Sequence, residues 1–427
     1  MAGNPFFGKK TNRIKEFPIL KKKNVLYIEA NMDGTVGGSY HSLFLLVKYM
    51  NKDKYKPVVL FYEENAMVPD FRNVCEVSIF SHPAVFSIEK NLPKLHEMAR
   101  KSGVARKLFS LYQKGHNFLG YHVPNMMNIY RYLRENRIDL IHVNNFPDLT
   151  DWLFVSKLLR VKIVSHLRGF YYINAYTKSL VKYYDKVIST SRWVSGQIED
   201  QNIPMGNVVL IHNGIDVLSV KIDERTCEKI PREWNTAENT PVIGVIGNIR
   251  KWKGQHVAIE AMNDLVKKFK DIRCVLVGEV SKSEDDIEYL RYLQELISKY
   301  DLGKNIIFTG FRKDIYEIIH NLDILIHTSI LPEPFGRVLL EGMVLRKPVI
   351  ATNQGGPLEI VEDGISGFLL PPDNPELLAG KITYLLENKD IAGAMGENAR
   401  KRVEENFSIE RNVGKVQEVY AELLGNG

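Results

Sequence analysis

The stretch PVIGVIGNIRKWKGQHVAIEAM, residues 241–262, joins an apolar run, a glycine turn and an amphipathic segment. Valine and isoleucine dominate the run, which is typical of a buried strand. The segment that follows Gly254 repeats its apolar residues at the spacing of a helix. A strand, a tight turn and a helix in this order form the basic unit of an α/β fold.

The same unit recurs from one end of the chain to the other. A chain that alternates strands and helices at this pace builds parallel sheets with helices on both faces. We therefore predict an α/β protein with two Rossmann-like, doubly wound parallel-sheet domains that face each other across a cleft. The further runs that predict strands are 24–30, 55–62, 138–145, 161–167, 185–190 and 207–214 in the first half, and 272–279, 304–310, 322–328, 347–353 and 366–372 in the second.

The division between the two domains follows from a change in composition. A chain of 427 residues suits two domains of about 200 residues each. After the Asn-Gly turn at 213–214, residues 223–241 are polar and contain two prolines, which is typical of an irregular connector. We predict a first domain at 1–215, a second at 216–407, and a helix at about 408–427 that could pack back on the first domain.

The composition is that of a globular protein in a reducing compartment. Hydrophobic residues make up 44% of the chain and charged residues 25%. The three cysteines show neither a disulfide framework nor metal-binding spacing. The sequence has neither a signal-peptide pattern nor an apolar run of 18 residues. These observations predict a cytoplasmic protein without a membrane span, and they exclude collagenous and disulfide-rich secreted classes.

Positive charge is concentrated in the first part of the chain. Residues 1–120 carry 19 Lys and Arg against 10 Asp and Glu, whereas the whole chain has a net charge of +6. This asymmetry favours an anionic partner, either the inner face of a cell membrane or an anionic substrate. A soluble basic surface without a partner explains the charge equally well. Nucleic acid is a weaker alternative, because no nucleic-acid-binding motif accompanies the charge.

Residues 84–136 interrupt the alternation of strands and helices. This segment has a helical pattern, and its basic residues are interleaved with Leu, Phe, Tyr and Met. A basic amphipathic insertion of this kind binds a membrane surface or an acceptor. A pair of ordinary amphipathic helices with solvated lysines is an equal alternative.

The motif EPFGRVLLEGM, residues 333–343, carries two carboxylates around a glycine. Glu333 precedes a proline, which moves it out of the helical region, and Gly336 permits a close backbone approach. If a helix begins near Arg337, its free N–H groups form an anion site, and Glu341 lies in its second turn. Carboxylates accept hydrogen bonds from hydroxyls. A ligand with a diphosphate between two hydroxyl-rich rings, such as a nucleotide sugar, would fit the anion site and both carboxylates.

A second motif also favours an anion. In GNIRKWKGQHVAIEAM, residues 247–262, Lys253 stands at the start of a helix and could bind a phosphate as a point charge. Either motif alone is more simply explained as a solvated helix start. Their occurrence in α/β units of one domain favours a phosphate ligand.

An ordered set of motifs is similar to a known family. The motifs are NGID at 213–216, GNIRKWKG at 247–254, IIFTGF at 306–311, the E-x7-E pair, and GGPLEIVEDGISGFLLPPDN at 355–374. With these motifs in this order, the sequence resembles the retaining glycosyltransferases of the GT-B fold in glycosyltransferase family 4 (glycosyl transferases group 1), over nearly the whole chain and most clearly over 208–405.

The resemblance implies that the second domain binds the nucleotide sugar. Glu341 would accept the ribose hydroxyls, Glu333 would hold the hydroxyls of the transferred sugar, and Lys253 would neutralise the diphosphate leaving group. The remaining residues assigned to the donor in this domain are Phe311 and the backbone from Phe335 and Gly336 to Arg337 and Val338.

One position departs from the family pattern. The family usually has arginine where this chain has Asn248, so one expected phosphate cation is missing. Arg250, two residues further on, is a candidate substitute.

In the first domain the resemblance implies three kinds of contact. Gly37 and Gly38, in TVGGSYHSL at 35–43, would let the backbone approach the donor, although a plain turn also uses glycine. His166, in SHLRGF, would stand near the transferred sugar, although an isolated histidine there is more often structural. On the acceptor side the resemblance places Arg168, with Ser39 and Asn144.

The resemblance implies transfer of a hexose from a UDP- or GDP-sugar to an acceptor hydroxyl with retention, in cell-surface polysaccharide, lipopolysaccharide or glycolipid synthesis. It implies no cofactor and no metal, and the sequence lacks the Asp-x-Asp metal clamp of the other large glycosyltransferase fold. The expected partners are a nucleotide sugar, a carbohydrate or lipid-linked acceptor, and an anionic membrane face. The alternatives are an epimerase or a phosphorylase of the same fold, and a non-catalytic membrane or nucleic-acid binder on that scaffold.

Overall fold

The computed structural model of the chain describes residues 22–29, 37–81, 103–145, 149–169, 175–204 and 206–425. Three parts of the sequence-based predictions lie outside the described residues: the basic segment 1–21, the first two residues of the glycine loop, and residues 84–102 of the helical insertion.

Thirteen strands form two parallel sheets within the described residues, and each of the twelve runs predicted as strands contains one. The first sheet has the order β3-β2-β1-β4-β5-β6-β7 and the second the order β10-β9-β8-β11-β12-β13. The predicted fold class is confirmed. The strands are β1 (Lys23–Glu29), β2 (Tyr55–Phe61), β3 (Glu76–Ile79), β4 (Leu140–Asn144), β5 (Lys162–Leu167), β6 (Lys186–Ser189), β7 (Val208–Leu210), β8 (Val242–Ile246), β9 (Arg273–Val277), β10 (Ile306–Gly310), β11 (Ile324–His327), β12 (Val349–Thr352) and β13 (Phe368–Leu370).

Helices connect the strands and cover both faces of each sheet. They are α1 (Gly38–Tyr49), α2 (Val68–Arg72), α3 (Gly103–Asn117), α4 (Val123–Glu135), α5 (Thr150–Leu159), α6 (Ala175–Val181), α7 (Arg192–Asp200), α8 (Glu224–Cys227), α9 (Ile230–Glu233), α10 (Gln255–Lys268), α11 (Glu284–Lys299), α12 (Ile315–His320), α13 (Arg337–Val344), α14 (Pro357–Ile360), α15 (Pro375–Glu387), α16 (Lys389–Asn406) and α17 (Ile409–Leu424). A π-helical turn, Phe118–His122, joins α3 to α4, and a 3-10 turn, Lys251–Lys253, precedes α10.

The central strands are apolar throughout because both of their faces are buried. In β1, Leu26 and Ile28 pack into one core cluster while Val25 and Tyr27 pack into the cluster on the opposite face. All four side chains are fully buried. This is the reason that strands of doubly wound sheets read as continuous apolar runs rather than as alternating patterns.

The sequence prediction missed β3. Its four residues, EVSI, contain only two apolar side chains, and the strand lies at the edge of the first sheet, paired only with β2 among the described strands. Edge strands bury little and therefore carry a weak hydrophobic signal.

The chain crosses between the domains at two adjacent points. The backbone N–H of Ile215 donates to the carbonyl of Phe407, and the N–H of Ile409 donates to the carbonyl of Ile215, each at 2.9 Å. Gly214 is required beside this crossing, since a Cβ atom there would lie 2.8 Å from the Cα of Ile409. After the second crossing, α17 returns to the first domain, where Tyr420 and its neighbours join the core beneath β1.

The connector between the domains is less irregular than the sequence predicts. It contains the short helices α8 and α9, and Ile230 and Trp234 are buried in the core of the second domain. The expectation of an irregular linker over 223–241 was therefore wrong in part, because two apolar side chains anchor an otherwise polar segment.

The described part of the helical insertion is helical, as predicted. Ile129 and Leu133 of α4 are buried in the core of the first domain, whereas Leu108 and Leu111 of α3 are exposed. A proline at position 124 lies in the first turn of α4, and the N–H of Val123 donates to the carbonyl of Phe118, which closes the π-helical turn. Among the described residues, no helix has the length and apolar character needed to cross a membrane.

Candidate active site

A cavity of about 770 Å³ lies between the two domains, at the carboxyl ends of the strands. Doubly wound sheets bind ligands at this edge. The cavity brings together most of the residues that the sequence singled out. These are Gly37, Gly38, Ser39 and Arg168 from the first domain, and Asn248, Lys253, Phe311, Glu333, Phe335, Gly336, Arg337, Val338 and Glu341 from the second.

The E-x7-E motif has the local structure that the sequence predicts. Helix α13 begins at Arg337, directly after Gly336, whose φ of 96° lies in the region that favours glycine. Glu333 stands on the loop before the helix, and Glu341 lies in its second turn. The free N–H groups at the start of α13 therefore face the cavity between the two carboxylates.

A pair of glycines holds the loop of Glu333 in place. The N–H of Gly356 donates to the carbonyl of Glu333 at 2.7 Å. A Cβ atom on Gly355 would lie 2.3 Å from that same carbonyl oxygen, and one on Gly356 would lie 2.4 Å from the Cα of Phe335. Two backbone segments pass each other here at a distance that no side chain permits. The GGP motif thus fixes the position of the first glutamate.

Glu333 forms an ion pair with Lys253. Its Oε2 atom also lies 3.4 Å from Nε2 of His327 and accepts a hydrogen bond of the same length from Ser329. Burial opposes the ionised carboxylate, but Lys253 and His327 outweigh it and lower the pKa of Glu333 to about 2. The carboxylate is therefore ionised at neutral pH, and it already neutralises Lys253.

Gly254 holds Lys253 in this position. A Cβ atom there would lie 2.1 Å from the carbonyl oxygen of Thr328, and φ is 67°. In addition, Oγ1 of Thr328 donates to the carbonyl of Lys253 at 3.0 Å. The loops after β8 and β11 are thus held against each other, with the lysine on one and the glutamate on the other.

Arg337 connects the two sides of the cavity. Its Nη1 donates to Oγ of Ser42 on α1 at 3.0 Å, and its Nη2 lies 3.5 Å from Oε1 of Glu341. A Cβ atom on Gly38 would lie 3.1 Å from Cδ of Arg337, so the glycine leaves room for the guanidinium to cross. Burial and then Arg337 lower the pKa of His41, which also lines the cavity.

Arg250, the candidate substitute cation, lies elsewhere. Its Nε is 3.6 Å from Oδ2 of Asp286, and it is absent from the cavity lining that the described residues form. Asn248 does line the cavity, and its carbonyl accepts a hydrogen bond from Gln255. The structure therefore supplies Lys253 and Arg337, rather than Arg250, as cationic side chains beside the motif.

Arg168 lies on top of a buried polar network in the first domain. It donates from Nε to Asn144 and from Nη1 to Asn213, both at 2.5 Å, and its Nη2 lies 3.3 Å from Nδ1 of His166. Asn144 in turn donates to the buried carboxylate of Glu29. Asn144 and His166 are thus beneath Arg168, and only Arg168 of these three lines the cavity.

The histidines of this network are neutral. Nδ1 of His166 lies 3.2 Å from Nε2 of His142, and the hydroxyl of Tyr420 lies 2.6 Å from Nδ1 of His142. Burial lowers the pKa of His142 to about 3, and burial together with Arg168 and His142 lowers that of His166 well below its usual value. His166 therefore cannot serve as a cation at neutral pH.

Direct contacts hold the two domains together beside the cavity. The hydroxyl of Ser191 donates to the carbonyl of Pro334 at 2.6 Å. The carboxylate of Glu359 accepts from the N–H of Arg192, at the start of α7, and lies 2.8 Å from Nε2 of His212. These contacts fix the separation of the two walls in this structure.

Several residues of the site were not predicted from the sequence. They line the cavity or touch its charged groups, and the motifs of the sequence assigned them no role. They are His41, Asp70, Arg312, Lys313, Tyr316 and His327. For two of them a signal was available in their place near strand ends, since His327 closes β11 and Tyr316 lies in the first turn of the helix that follows β10. Among the described residues, no three His, Cys, Asp or Glu side chains are placed to share a metal ion.

Comparison with known proteins agrees with this architecture. Residues 227–402 match the family described as glycosyl transferases group 1, and residues 36–217 match glycosyltransferase family 4. Together the two matches cover both domains and the cavity between them. A pair of parallel-sheet domains around such a cavity is the GT-B arrangement, and the chain belongs to the family 4, group 1 glycosyltransferases.

Individual relatives are distant but extend over most of the chain. An uncharacterised glycosyltransferase of Methanocaldococcus jannaschii is 26% identical over 404 residues, which is 91% of this chain and 96% of the relative. The capsular polysaccharide biosynthesis glycosyltransferase CapM of Staphylococcus aureus is 25% identical, over 64% of this chain and 70% of the relative. The crystal structure of Anabaena HepE in complex with UDP has a TM-score of 0.75 and 23% identity, over 93% of this chain and 100% of that one. This last likeness concerns the fold.

Proposed function

We propose that the chain is a retaining glycosyltransferase that moves a hexose from a UDP- or GDP-sugar to an acceptor hydroxyl. The observation that carries the proposal is the arrangement of Lys253, Glu333 and Glu341 around the free N–H groups at the start of α13. This arrangement offers positive charge and N–H donors to a diphosphate, and it offers one carboxylate to the hydroxyl-rich ring on each side.

In this proposal the second domain holds the donor. Glu341 accepts the ribose hydroxyls, and Glu333 accepts hydroxyls of the transferred sugar. Lys253 is already paired with Glu333, so the incoming diphosphate shares an existing ion pair rather than meeting an isolated cation. Since Glu333 is ionised and held by three neighbours, its acceptor oxygens are oriented before the sugar arrives.

The reaction needs stabilisation of the leaving group. The bond between the anomeric carbon and the diphosphate oxygen breaks, the acceptor oxygen bonds to that carbon on the same face, and the acceptor proton passes to the departing diphosphate. Lys253, Arg337 and the N–H groups of α13 stabilise the charge that develops on the diphosphate. No metal or cofactor is assigned a step in this proposal.

Arg168 is the proposed contact for the acceptor. It lines the cavity on the side of the first domain, opposite α13, and Asn144 and Asn213 hold its guanidinium. Ser39 lines the same wall. His166, behind Arg168, orients it as a neutral hydrogen-bonding group. We assign the product to a cell-surface polysaccharide, lipopolysaccharide or glycolipid, a proposal supported by relatives such as CapM.

The experiment that tests this function measures cleavage of the donor and the configuration of the product in the same reaction. The protein is incubated with UDP-glucose, UDP-galactose, UDP-N-acetylglucosamine or GDP-mannose, with and without a glycan or lipid-linked acceptor extract, and nucleoside diphosphate release is measured. The expected result is release that depends on the acceptor, with a product whose anomeric configuration by NMR matches that of the donor. Acceptor-independent conversion of the donor, or an inverted product, would contradict the proposal.

We also propose that the first domain contacts an anionic membrane face. Val104, Leu108 and Leu111 of α3 are 63–71% exposed, and their spacing places them on one side of the helix. Lysine and arginine side chains flank them, as in helices that lie in the membrane interface.

Vesicle flotation at low salt tests the membrane contact. Replacing Leu108 and Leu111 together by serine should abolish flotation with vesicles that contain anionic lipid. Leu358→Ser, which changes a 52% exposed leucine of the second domain, should leave it unchanged. Absence of flotation by the unaltered protein would contradict the proposal.

A further inference from the structure

A second cavity lies within the first domain. Its volume is about 820 Å³, and none of its lining residues lines the interdomain cavity. It is formed where the π-helical turn Phe118–His122 and the start of α4 meet the start of α5. Its volume lies within the range of small-molecule sites in proteins.

The walls of this cavity are largely aromatic. Tyr62 and Trp152 form part of the buried side, where the indole N–H of Trp152 donates to the hydroxyl of Tyr62 at 2.9 Å. Phe118 and Tyr176 are 54% and 58% exposed, and Tyr121 lies beside them in the lining. An aromatic wall that runs from the core to the surface offers flat apolar faces to a ligand.

A polar group in the lining contains an unpaired acceptor. The amide nitrogen of Asn125 donates to Oδ2 of Asp151 at 2.7 Å, and Nδ1 of His122 lies 2.9 Å from Oδ1 of Asp151. Asn125 is only 2% exposed, yet its Oδ1 atom has no hydrogen-bond partner among the described residues. The amide cannot be reversed, because two acceptor oxygens would then face each other. A buried acceptor without a donor is costly, and either an ordered water molecule or a ligand hydroxyl can supply one.

The π-helical turn places these groups together. The proline at 124 lacks the N–H that would continue an α-helix from α3, and the wider turn brings Phe118, Tyr121 and His122 to the same cavity. Turns of this kind are rare and occur frequently at functional sites.

We propose that this cavity binds a sugar ring, a unit of the acceptor glycan other than the one that receives the transferred hexose. A sugar presents apolar C–H faces, which the aromatic walls can cover. It also presents hydroxyl groups, which can donate to Oδ1 of Asn125. The inference rests on the proposed function, since that function makes the acceptor a carbohydrate.

The position of the cavity suits such a role. Tyr62 directly follows β2 and Thr150 begins the helix that follows β4, while β1 lies between these two strands in the sheet. Gly37 and Gly38, which line the interdomain cavity, stand at the start of α1, the helix that follows β1. Both cavities therefore open along the carboxyl edge of the same sheet, and one glycan can extend from the reacting hydroxyl into the second cavity.

Saccharide binding by the full chain tests the inference. The probes are linear trisaccharides of glucose, mannose, galactose and N-acetylglucosamine, titrated by saturation-transfer NMR. The variants are Phe118→Ala and Tyr176→Ala, singly and together, because both side chains are exposed and their removal leaves the core intact. Tyr183→Ala, which removes a 50% exposed tyrosine outside the cavity lining, is the matched control. The thermal shift that UDP or GDP produces is recorded for the same proteins.

We expect at least one trisaccharide to bind, each single variant to weaken it about fivefold, and the double variant to weaken it by more than about tenfold. The Tyr183 control and the nucleotide shift should remain unchanged. Failure of all four probes to bind, or binding that the double variant leaves intact, would overturn the inference. A missing nucleotide shift in the unaltered protein would instead count against the proposed function.

Discussion

The two domains hold the polar groups in and behind the interdomain cavity in different electrostatic states. In the second domain, Lys253 and Glu333 are both charged and neutralise each other, and glycines at close backbone approaches hold their loops. In the first domain, His142 and His166 are kept neutral by burial, within a network that also includes Tyr420 near the end of the chain. The charged wall is built from local motifs, whereas the neutral network beneath Arg168, behind the other wall, is assembled from distant segments.

The difference teaches which features of a site are visible in a sequence. Where a lysine precedes a glycine, or a glutamate precedes a proline, the neighbouring residue predicts the local backbone conformation. The role of a histidine that depends on another histidine and on a tyrosine from a distant helix cannot be predicted from its neighbours in the sequence. Variants on each wall therefore test the comparison, and the expected effects decrease from the backbone contacts to the exposed ion pairs.

The largest effect is expected at Gly355. Replacement by alanine adds a Cβ atom 2.3 Å from the carbonyl of Glu333 at a φ of 70°, so steric overlap and backbone strain add together. We expect a loss of about 4 kcal/mol in the free energy of unfolding, measured by urea denaturation. Gly364→Ala is the matched control, with φ of 74° and no atom within 4 Å, and should cost only about 1 kcal/mol. Equal losses would show that the close approach does not hold the loop.

The next effect concerns the charge of Glu333. Its pKa is lowered to about 2 in the folded protein, so the ionised carboxylate stabilises the fold above the unfolded value of about 4.5. This contribution is lost as the pH falls from about 4.5 toward 2. Glu333→Gln should therefore cost about 3 kcal/mol at pH 7, and the difference from the unaltered protein should shrink below about pH 4.5.

Denaturation between pH 3 and pH 7 measures this difference. Glu295→Gln, on the exposed face of α11, provides the control and should show no such trend. A difference between the Glu333 variant and the unaltered protein that is independent of pH would mean that the ion pair does not hold the carboxylate ionised.

A smaller effect is expected in the neutral network beneath Arg168. Tyr420→Phe removes the hydroxyl that lies 2.6 Å from Nδ1 of His142, in a site where both residues are fully buried. The loss should be about 2 kcal/mol of unfolding free energy, because a buried ring nitrogen is left without a partner. Tyr55→Phe, whose hydroxyl lies 3.5 Å from the carbonyl of Gln417, should cost less than about 1 kcal/mol. If Tyr420→Phe also removed nucleotide binding, the neutral network would belong to the donor site.

The smallest effect is expected at Arg250. It pairs with Asp286 at 3.6 Å and is partly exposed, so Arg250→Ala should cost less than about 0.5 kcal/mol in unfolding free energy. Nucleotide affinity, measured by calorimetry, should change less than about twofold, whereas Lys253→Ala should lower it severalfold. A large loss of affinity in Arg250→Ala would restore this residue as the substitute for the missing arginine.

The fold and the second-domain site were largely predictable from the sequence. Twelve strands, the parallel class and the start of α13 at Arg337 follow from apolar runs and from proline and glycine placement. The edge strand β3 was missed because it buries little. The anchoring of the connector by Trp234 was missed because one aromatic side chain in a polar segment gives no periodic signal.

The parts of the site that escaped prediction depend on contacts between distant segments. His327 contacts Glu333 only because the chain turns between them, and Arg337 contacts Ser42 across nearly three hundred residues. The aromatic cavity near Asn125 is lined by side chains from three parts of the first domain. They belong to the segment after β2, to the π-helical turn and to the segment after β4. No spacing rule links residues that meet only after the chain has folded.

The most direct test of the account is the thermal unfolding of the full chain with UDP, GDP, ADP and CMP. A nucleotide at a hundred times its dissociation constant should raise the melting temperature by about 5 to 10 °C. We predict such a shift with UDP or GDP in the unaltered protein and in Glu295→Gln, and its loss in Glu341→Gln. A full shift in Glu341→Gln, or no shift with any nucleotide in the unaltered protein, would contradict the assignment of the charged wall as the donor site.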